Sequence, residues 1–268
     1  MKNKEVTIHT HERLDALHRN GLKIIQDPKR FCFGIDAVLL SDFVKVKKGE
    51  AVLDFCTGGG IVPLLLSAKT AANHITGLEI QAKSVDMARR SVALNDLRHR
   101  ITINEGDVKA APALYKPGMF QVITVNPPYM NAGGGLQNAC DDQSIARHEI
   151  LCTLQDVVLS ASQLLLTGGR FYMIHRPHRL TDIFITLRAH RLEPKTCRFV
   201  HATSDKEPAL LLVEAARDGK PMLKILPPLF IYGTDGQYTA ETMHIYHGSQ
   251  NGCAKNGEAD RTPNDIIR

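Results

Sequence analysis

The stretch Ala51-Val-Leu-Asp-Phe-Cys-Thr-Gly-Gly-Gly60, with the apolar segment Ile61 to Ala68 behind it, constrains the fold more than any other part of the chain. Ala51 to Asp54 is a short apolar run of strand type, closed by an acid. Phe55 to Gly60 is a glycine-rich turn, and Ile61 to Ala68 reads as a helix with Pro63 tolerated in its first turn. Strand, glycine turn and helix N-terminus together form a cradle in which a ligand can approach the backbone closely. The pattern then repeats. His74 to Glu79 is a second strand ending in an acid, Gln81 to Leu94 an amphipathic helix, and Ile101-Thr-Ile-Asn a third strand followed by Glu105-Gly-Asp107. Phe120 to Val125 is a fourth strand. Such alternation predicts an α/β fold around a parallel sheet, with helices on both faces.

The fourth strand ends abruptly. Val122 to Val125 is a β-branched run, and Asn126-Pro-Pro-Tyr129 follows it. Pro127 and Pro128 have no N–H to offer a ladder, and Asn126 is held extended by the proline after it. An amide, two rigid prolines and an aromatic ring are thereby fixed at a strand end, where open α/β sheets bind ligands. An exocyclic amino group conjugated to a ring or carbonyl is a poor nucleophile. The Asn126 side-chain oxygen and the Pro127 carbonyl can accept its two hydrogens, draw the nitrogen towards tetrahedral geometry and release its lone pair. Tyr129 can stack on a flat substrate. Taken alone, the segment is equally a strand closed by a proline turn. The deciding feature is a methyl-donor site upstream.

The glycine turn suits such a donor. A dinucleotide site wants Gly-x-Gly-x-x-Gly and an acid near the end of the second strand. Here the turn is Asp54-x-x-x-Gly58-x-Gly60, and the acid is Glu79. Glu79 does not discriminate, because a ribose diol needs an acid in either case. Asp54 does: it would repel a pyrophosphate and suits a zwitterionic ligand carrying an ammonium group. Asp107 adds an acceptor for an exocyclic amine such as adenine N6. Amino acid, ribose and adenine together make S-adenosylmethionine. Ile80 and Val108, the chain neighbours of these acids, are assigned to the same cofactor site.

The remainder of the chain supplies a frame. Leu14 and Leu17 fall at helical spacing. Leu22 to Gln26 and Phe31 to Phe33 read as the two strands of a hairpin around Asp27-Pro28-Lys29. Asp36 is expected as the N-cap of a helix over Ala37 to Phe43. Residues 1–48 are read as a hairpin and helix forming part of a lid, 49–218 as the core, 219–248 as a C-terminal strap and 249–268 as a disordered tail. Within the core, a long loop spans Gly133 to Ser144, and a helix runs from about Thr153 to Leu166. Arg170 to His175 is a fifth strand, 178–191 a helix, Lys195 to His201 a sixth strand and Ala209 to Glu214 a seventh. Lys224 to Tyr232 is an extended, proline-marked strap. No apolar run approaches the roughly 20 residues of a membrane span, and the N-terminus lacks a signal segment, so the expected location is the cytoplasm. Six cysteines without paired spacing predict reduced thiols, with neither disulfides nor a metal. A net charge of +5 permits a nucleic-acid partner without requiring one.

The chain resembles the class I S-adenosylmethionine-dependent methyltransferases, in the amino-methylating branch that carries Asn-Pro-Pro-Tyr. It is most similar to the bacterial N6-adenine methyltransferases of valine tRNA. The carrying segments are Phe33-Gly-Ile-Asp-Ala-Val-Leu-Leu40, Val52 to Gly60, Gly77-Leu-Glu79 and Asn126 to Tyr129, with Ala146-Arg-His-Glu149, His175-Arg-Pro177 and Leu223 to Phe230 in addition. The resemblance implies a Rossmann-like seven-stranded sheet and methylation of adenine N6 in tRNA next to the anticodon. It implies that Asn126, Pro127, Pro128 and Tyr129 form the amine site. The superfamily usually has glycine where this chain has Cys56, which is expected to contribute its backbone to the cofactor site. Arg147, Arg176, Arg179 and Lys195 are candidate phosphate ligands, though each is also an ordinary solvated charge. Two other readings stay open. One is a glutamine N5-methyltransferase of a release factor, disfavoured by the short N-terminal segment. The other is a non-catalytic RNA-binding protein on the same fold.

Overall fold

The structure, a computed structural model, describes residues 6–30, 32–127 and 152–248. The N-terminal hairpin pairs β1 (Arg13–Ala16) with β2 (Lys23–Gln26) antiparallel. This corrects the expectation from sequence. The Leu14 region is the hairpin's first strand and not a helical turn, and Cys32 and Phe33 lie outside any strand. The turn falls at 17–22, where His18, Asn20 and Gly21 all take left-handed backbone angles. The expected Asp-Pro-Lys turn instead follows β2. The hairpin docks on the following sheet unit through two backbone donors, Lys23 N–H to Asn95 Oδ1 and Ile25 N–H to Ser91 Oγ, both 2.9 Å.

Helix α1 (Ile35–Phe43) begins two residues earlier than Asp36 would set as a cap. Gly34 is the N-cap, and Asp36 sits buried in the first turn. The core then alternates β3 (Ala51–Phe55), α2 (Ile61–Lys69), β4 (His74–Glu79), α3 (Ala82–Leu94), β5 (Ile101–Glu105), the short α4 (Ala111–Leu114) and β6 (Phe120–Val125). It continues with α5 (Leu154–Leu164), β7 (Leu165–His175), α6 (Leu180–Ala189), β8 (Leu192–His201) and β9 (Pro208–Arg217). Thr153 caps α5 in a reciprocal box with Asp156, which stops the helix from extending backwards. The chain ends in β10 (Lys224–Ile225), β11 (Leu229–Phe230) and α7 (Ala240–His247).

Seven long strands lie in the order β8-β9-β7-β6-β3-β4-β5, and the two short strands of the strap both add to β8. Helices cover both faces, as the sequence predicts. The sheet is not wholly parallel, however: β9 runs antiparallel between β7 and β8. The cause is local. Only residues 202–207 join β8 to β9, a hairpin length, whereas a parallel return needs a crossover of a dozen residues or more.

Side-chain parity sorts the strands into two cores. Val52, Ile75, Ile103, Val122 and Ile174 face α1, α2 and α3. Leu53, Phe55, Ile123, Val125 and Met173 face α5 and α6. The central strands are buried on both sides, hence their near-continuous apolar runs. Among the described residues, no helix is long and apolar enough to cross a membrane.

Candidate functional site

The register of the parallel strands brings the predicted residues to one edge of the sheet. Phe55 on β3 pairs with Val125 on β6 and with Leu78 on β4, and Glu79 pairs with Glu105 on β5. The glycine turn, Asn126, Glu79 and Asp107 therefore leave adjacent strands at the same level. By parity, Asp54 and Thr124 turn towards the α1 face.

The glycine-turn side, where the sequence leads one to expect the methyl donor, is built around two buried acids, Asp54 and Glu79. Glu79 is only 5% exposed, and its two oxygens accept the N–H groups of Gly58 and Gln81, both at 2.9 Å. It thus ties the tip of the glycine turn to the end of β4. Thr57 N–H reaches Leu78 O and Gly60 N–H reaches Thr57 O, which closes the turn on itself. Gly60, at φ +85, caps α2 in a left-handed conformation, and a Cβ there would meet Ala88 Cβ at 3.2 Å. Cys56 takes φ +54 without being glycine, a costly angle for a residue with a Cβ. Its thiol lies within hydrogen-bonding reach of Cys152. That contact first, and burial second, push it well above the usual thiol range.

Asp54 is fully buried. Thr124 Oγ1 donates to its Oδ1 at 2.6 Å, while Oδ2 has no hydrogen-bond partner. The Thr57 hydroxyl stands beside it and favours the ionised form somewhat, but it makes no hydrogen bond of regular geometry. Burial dominates, helped by the nearby charge of Glu79, and the Asp54 carboxyl is pushed up to about 7. Asp107 accepts from Lys109 N–H at the start of a single 3-10 turn. Ile80 is 38% exposed beside Glu79, an open apolar surface at the edge. Val108 differs: its side chain is buried in the α5 core, and its carbonyl accepts from Ser160 Oγ at 2.8 Å.

On the acceptor side, Asn126 follows β6 and its Nδ2 donates to Asp36 Oδ2 at 2.9 Å. Pro127 borders a cavity of about 160 Å3 shared with Cys152, Thr153, Met173, His175 and Arg179. His175 is pushed down to about 4, chiefly by burial and then by the charge of Arg179, so the ring is neutral at pH 7. Its Nδ1 accepts from Arg176 N–H at 2.8 Å, which leaves the ring proton on Nε2. Pro128, Tyr129 and Arg147 lie outside the described residues. Arg176 and Arg179 leave the end of β7 on the same edge as Asn126. Lys195 does not. It lies near the start of β8, next to Pro194, which is level with Ala215 and Phe171, and it bonds to Lys220 O at the opposite end of the sheet. Strand order alone could not tell the two ends of β8 apart. Asp36, His175 and Cys152 are the site residues that sequence reasoning missed. Asp36 stood within a motif that carried the resemblance, but its acid had a ready role as a helix cap.

The methyltransferase small domain family model matches residues 33–189. A protein of Porphyromonas gingivalis (strain ATCC BAA-308 / W83) named "tRNA1(Val) (adenine(37)-N6)-methyltransferase" is 29% identical over 224 residues, covering 79% of this chain and 86% of its own length. One of the same name from Serratia proteamaculans (strain 568) is 28% identical over 216 residues, covering 79% of this chain and 80% of its own. Among solved structures, a predicted O-methyltransferase from Agrobacterium tumefaciens superposes with a TM-score of 0.66 at 22% identity, covering 80% of this chain and 96% of its own. That last similarity is one of fold.

Proposed function

This chain belongs to the methyltransferase small domain family, and from that premise we propose that it moves a methyl group from S-adenosylmethionine to N6 of an adenine in tRNA. The proposed substrate is valine tRNA, at the base next to the anticodon. The observation that carries this reading is the placement of Asn126-Pro127 at the end of β6, one strand from a glycine turn braced by Glu79. The names of the two bacterial relatives support tRNA as the substrate class.

The residues present fit the donor. Asp54 Oδ2, buried and without a partner, suits an ammonium group. Glu79 suits a ribose diol, Asp107 an exocyclic amine, and Ile80 the face of a purine. Backbone groups of Cys56, Gly58 and Gly60 line the approach. When bound, S-adenosylmethionine supplies an electrophilic methyl carbon. Asn126 Oδ1 and the Pro127 carbonyl accept the two hydrogens of the target amine, which localises the lone pair on nitrogen. Tyr129, next along the chain after Pro128, stacks the base. Alignment of amine with methyl carbon is the main catalytic contribution. No general base is needed before transfer, because the amine becomes acidic only after methylation. The adenine has to leave any stack, as a loop base can. Arg176 and Arg179 lie where they can meet phosphates, and a tRNA substrate implies work in the cytoplasm.

The test is methyl transfer from labelled S-adenosylmethionine to tRNA and to protein in parallel. The expected product is N6-methyladenine at a single tRNA position, mapped by mass. Label appearing in a protein glutamine supports the release-factor alternative, and no transfer to either removes the enzyme reading.

A further inference from the structure

We propose that Asp36 is the positioning residue that fixes which end of the Asn126 amide faces the acceptor. The inference deepens the reading above, and its kinetic half rests on that reading.

An asparagine amide is nearly symmetric in shape, but its two ends are opposite in function. Turned one way it presents an oxygen that accepts. Turned the other way it presents an NH2 that donates, and a donor facing a target amine cannot draw on its hydrogens. Among the described residues, a partner that tells the two ends apart stands 90 residues earlier in the chain, where Asp36 Oδ2 accepts from Asn126 Nδ2 at 2.9 Å. An ionised acid has acceptors only. It admits the Nδ2 end, whereas the reversed amide would set two oxygens against each other. The amide oxygen is thereby turned away from Asp36, to the other side of the side chain.

The acid itself is held on several sides. Its Oδ1 accepts from Ala37 N–H at 2.9 Å, so both oxygens are engaged. It is 7% exposed, which is unusual for an aspartate that serves only solubility. Ala37 to Leu40, directly after it, are all buried in the α1-side core and fix the helix against the sheet. The first turn of a helix also favours a negative side chain. Tyr246 of α7 stands near on the same side. Burial, then Tyr238 and Tyr232, and last the charge of Asp36 push its phenol up. An acid so placed does what a cap would not require: it spends one oxygen on its own helix and the other on a strand end.

Side-chain amide NMR decides the contact without any substrate. In the wild-type protein, with the resonance assigned by its loss in Asn126→Ala, one Asn126 Hδ2 proton should be shifted downfield and slow to exchange. In Asp36→Asn, whose side chain can offer either end, that shift should collapse. A wild-type Asn126 amide that exchanges like a solvated one overturns the proposal, and so does a resonance that Asp36→Asn leaves unmoved. The second arm is single-turnover methylation with saturating tRNA and S-adenosylmethionine. Asp36→Asn should slow transfer about tenfold, the size lost when a group that orients a ligand is removed, with both dissociation constants within about twofold. In an Asn126→Ala background the same change should add nothing, since its effect runs through that amide. Losses that multiply would mean that Asp36 only supports α1, and the proposal falls. Wild-type protein that leaves tRNA unlabelled refutes the tRNA reading, while the resonance test still decides the Asp36–Asn126 contact.

Discussion

The proposed donor and acceptor sides of the sheet edge are held together in different ways. Around the glycine turn, the backbone contacts come from the next strand or from the turn itself: Glu79 to Gly58 and Gln81, Thr57 to Leu78, Gly60 to Thr57. Around Asn126 and Pro127 the neighbours come from far along the chain: Asp36 in α1 bonds Asn126, and His175 at the end of β7 and Thr153 before α5 line the cavity that Pro127 borders. The brace of the glycine turn is a local device within one βαβ unit, and Asp54 and Cys56 beside it are what reach further, to Thr124 of β6 and to Cys152. The acceptor side exists only once α1, β6 and β7 have been brought together. A change on the donor side should therefore stay on the donor side, and a change at the acceptor should register mainly in the rate of transfer.

The largest effect expected belongs to Asp54. Its carboxyl is raised from 3.8 to about 7 in the folded chain, first by burial. A folded value above the unfolded one means that folding favours the protonated acid. The contribution is complete below about pH 4 and is lost as pH rises through about 7, a span of roughly 4 kcal/mol. Denaturant titrations of the cofactor-free protein from pH 4 to 8 should show this decline, and Asp54→Asn should flatten it. Saturating S-adenosylmethionine should restore much of the loss at pH 8, if its ammonium sits by Oδ2. A wild-type stability that stays level across this range would break the comparison on its donor side.

Next in size is Asn126→Ala. Losing one preorganised acceptor should slow single-turnover transfer by about 10²-fold. Affinity for both substrates should change little, because one hydrogen bond contributes only about 1 kcal/mol net. An alanine variant that turns over at the wild-type rate would end the proposed chemistry and leave the fold untouched.

Glu79→Ala should then weaken S-adenosylmethionine binding about tenfold or more by calorimetry, since it removes a charged acceptor from two backbone donors as well as from the ligand. Rates at saturating cofactor should hold. Equal losses in rate and affinity would blur the division between the two sides.

The smallest effect concerns RNA. Arg179→Glu should weaken tRNA binding several-fold and lower the salt slope by about one. Lys195→Glu, at the opposite end of the sheet, should do neither. Identical slopes for wild type and both variants would reduce Arg179 to a surface charge already paired with Asp182.

This division also explains what could be read from the sequence. The donor side was legible because its residues are spaced by one repeating unit: an acid and glycines after the first strand, an acid after the second, an acid after the third. Asn126 and Pro127 were legible because prolines write their geometry into the chain. Asp36 as a partner of Asn126 was not, since no local pattern reports a contact across 90 residues. The hairpin was misplaced because Leu14 and Leu17 fit a helical period, while the left-handed run at His18, Asn20 and Gly21 has only one glycine to announce it. The antiparallel β9 was readable only from loop length, and Lys195 only from the direction of β8.

The strap described with the fold has one more consequence. A sheet of this size ends in two edge strands, and an uncovered edge is a template on which another chain can add. At the β8 edge the strap occupies that template twice, as β10 and β11, with Pro227 and Pro228 between them. Arg198 on β8 donates to the Pro227 carbonyl at 2.9 Å and pairs with Glu241 at 2.7 Å, which staples the strap down. At the β5 edge, Arg89 of α3 donates to Ile103 O at 2.9 Å and blunts the outer ladder. Loosening the strap, by Arg198→Ala for example, would uncover the backbone groups along the edge of β8. The segment that sequence reading treats as packing is thus also the cover of a sheet edge.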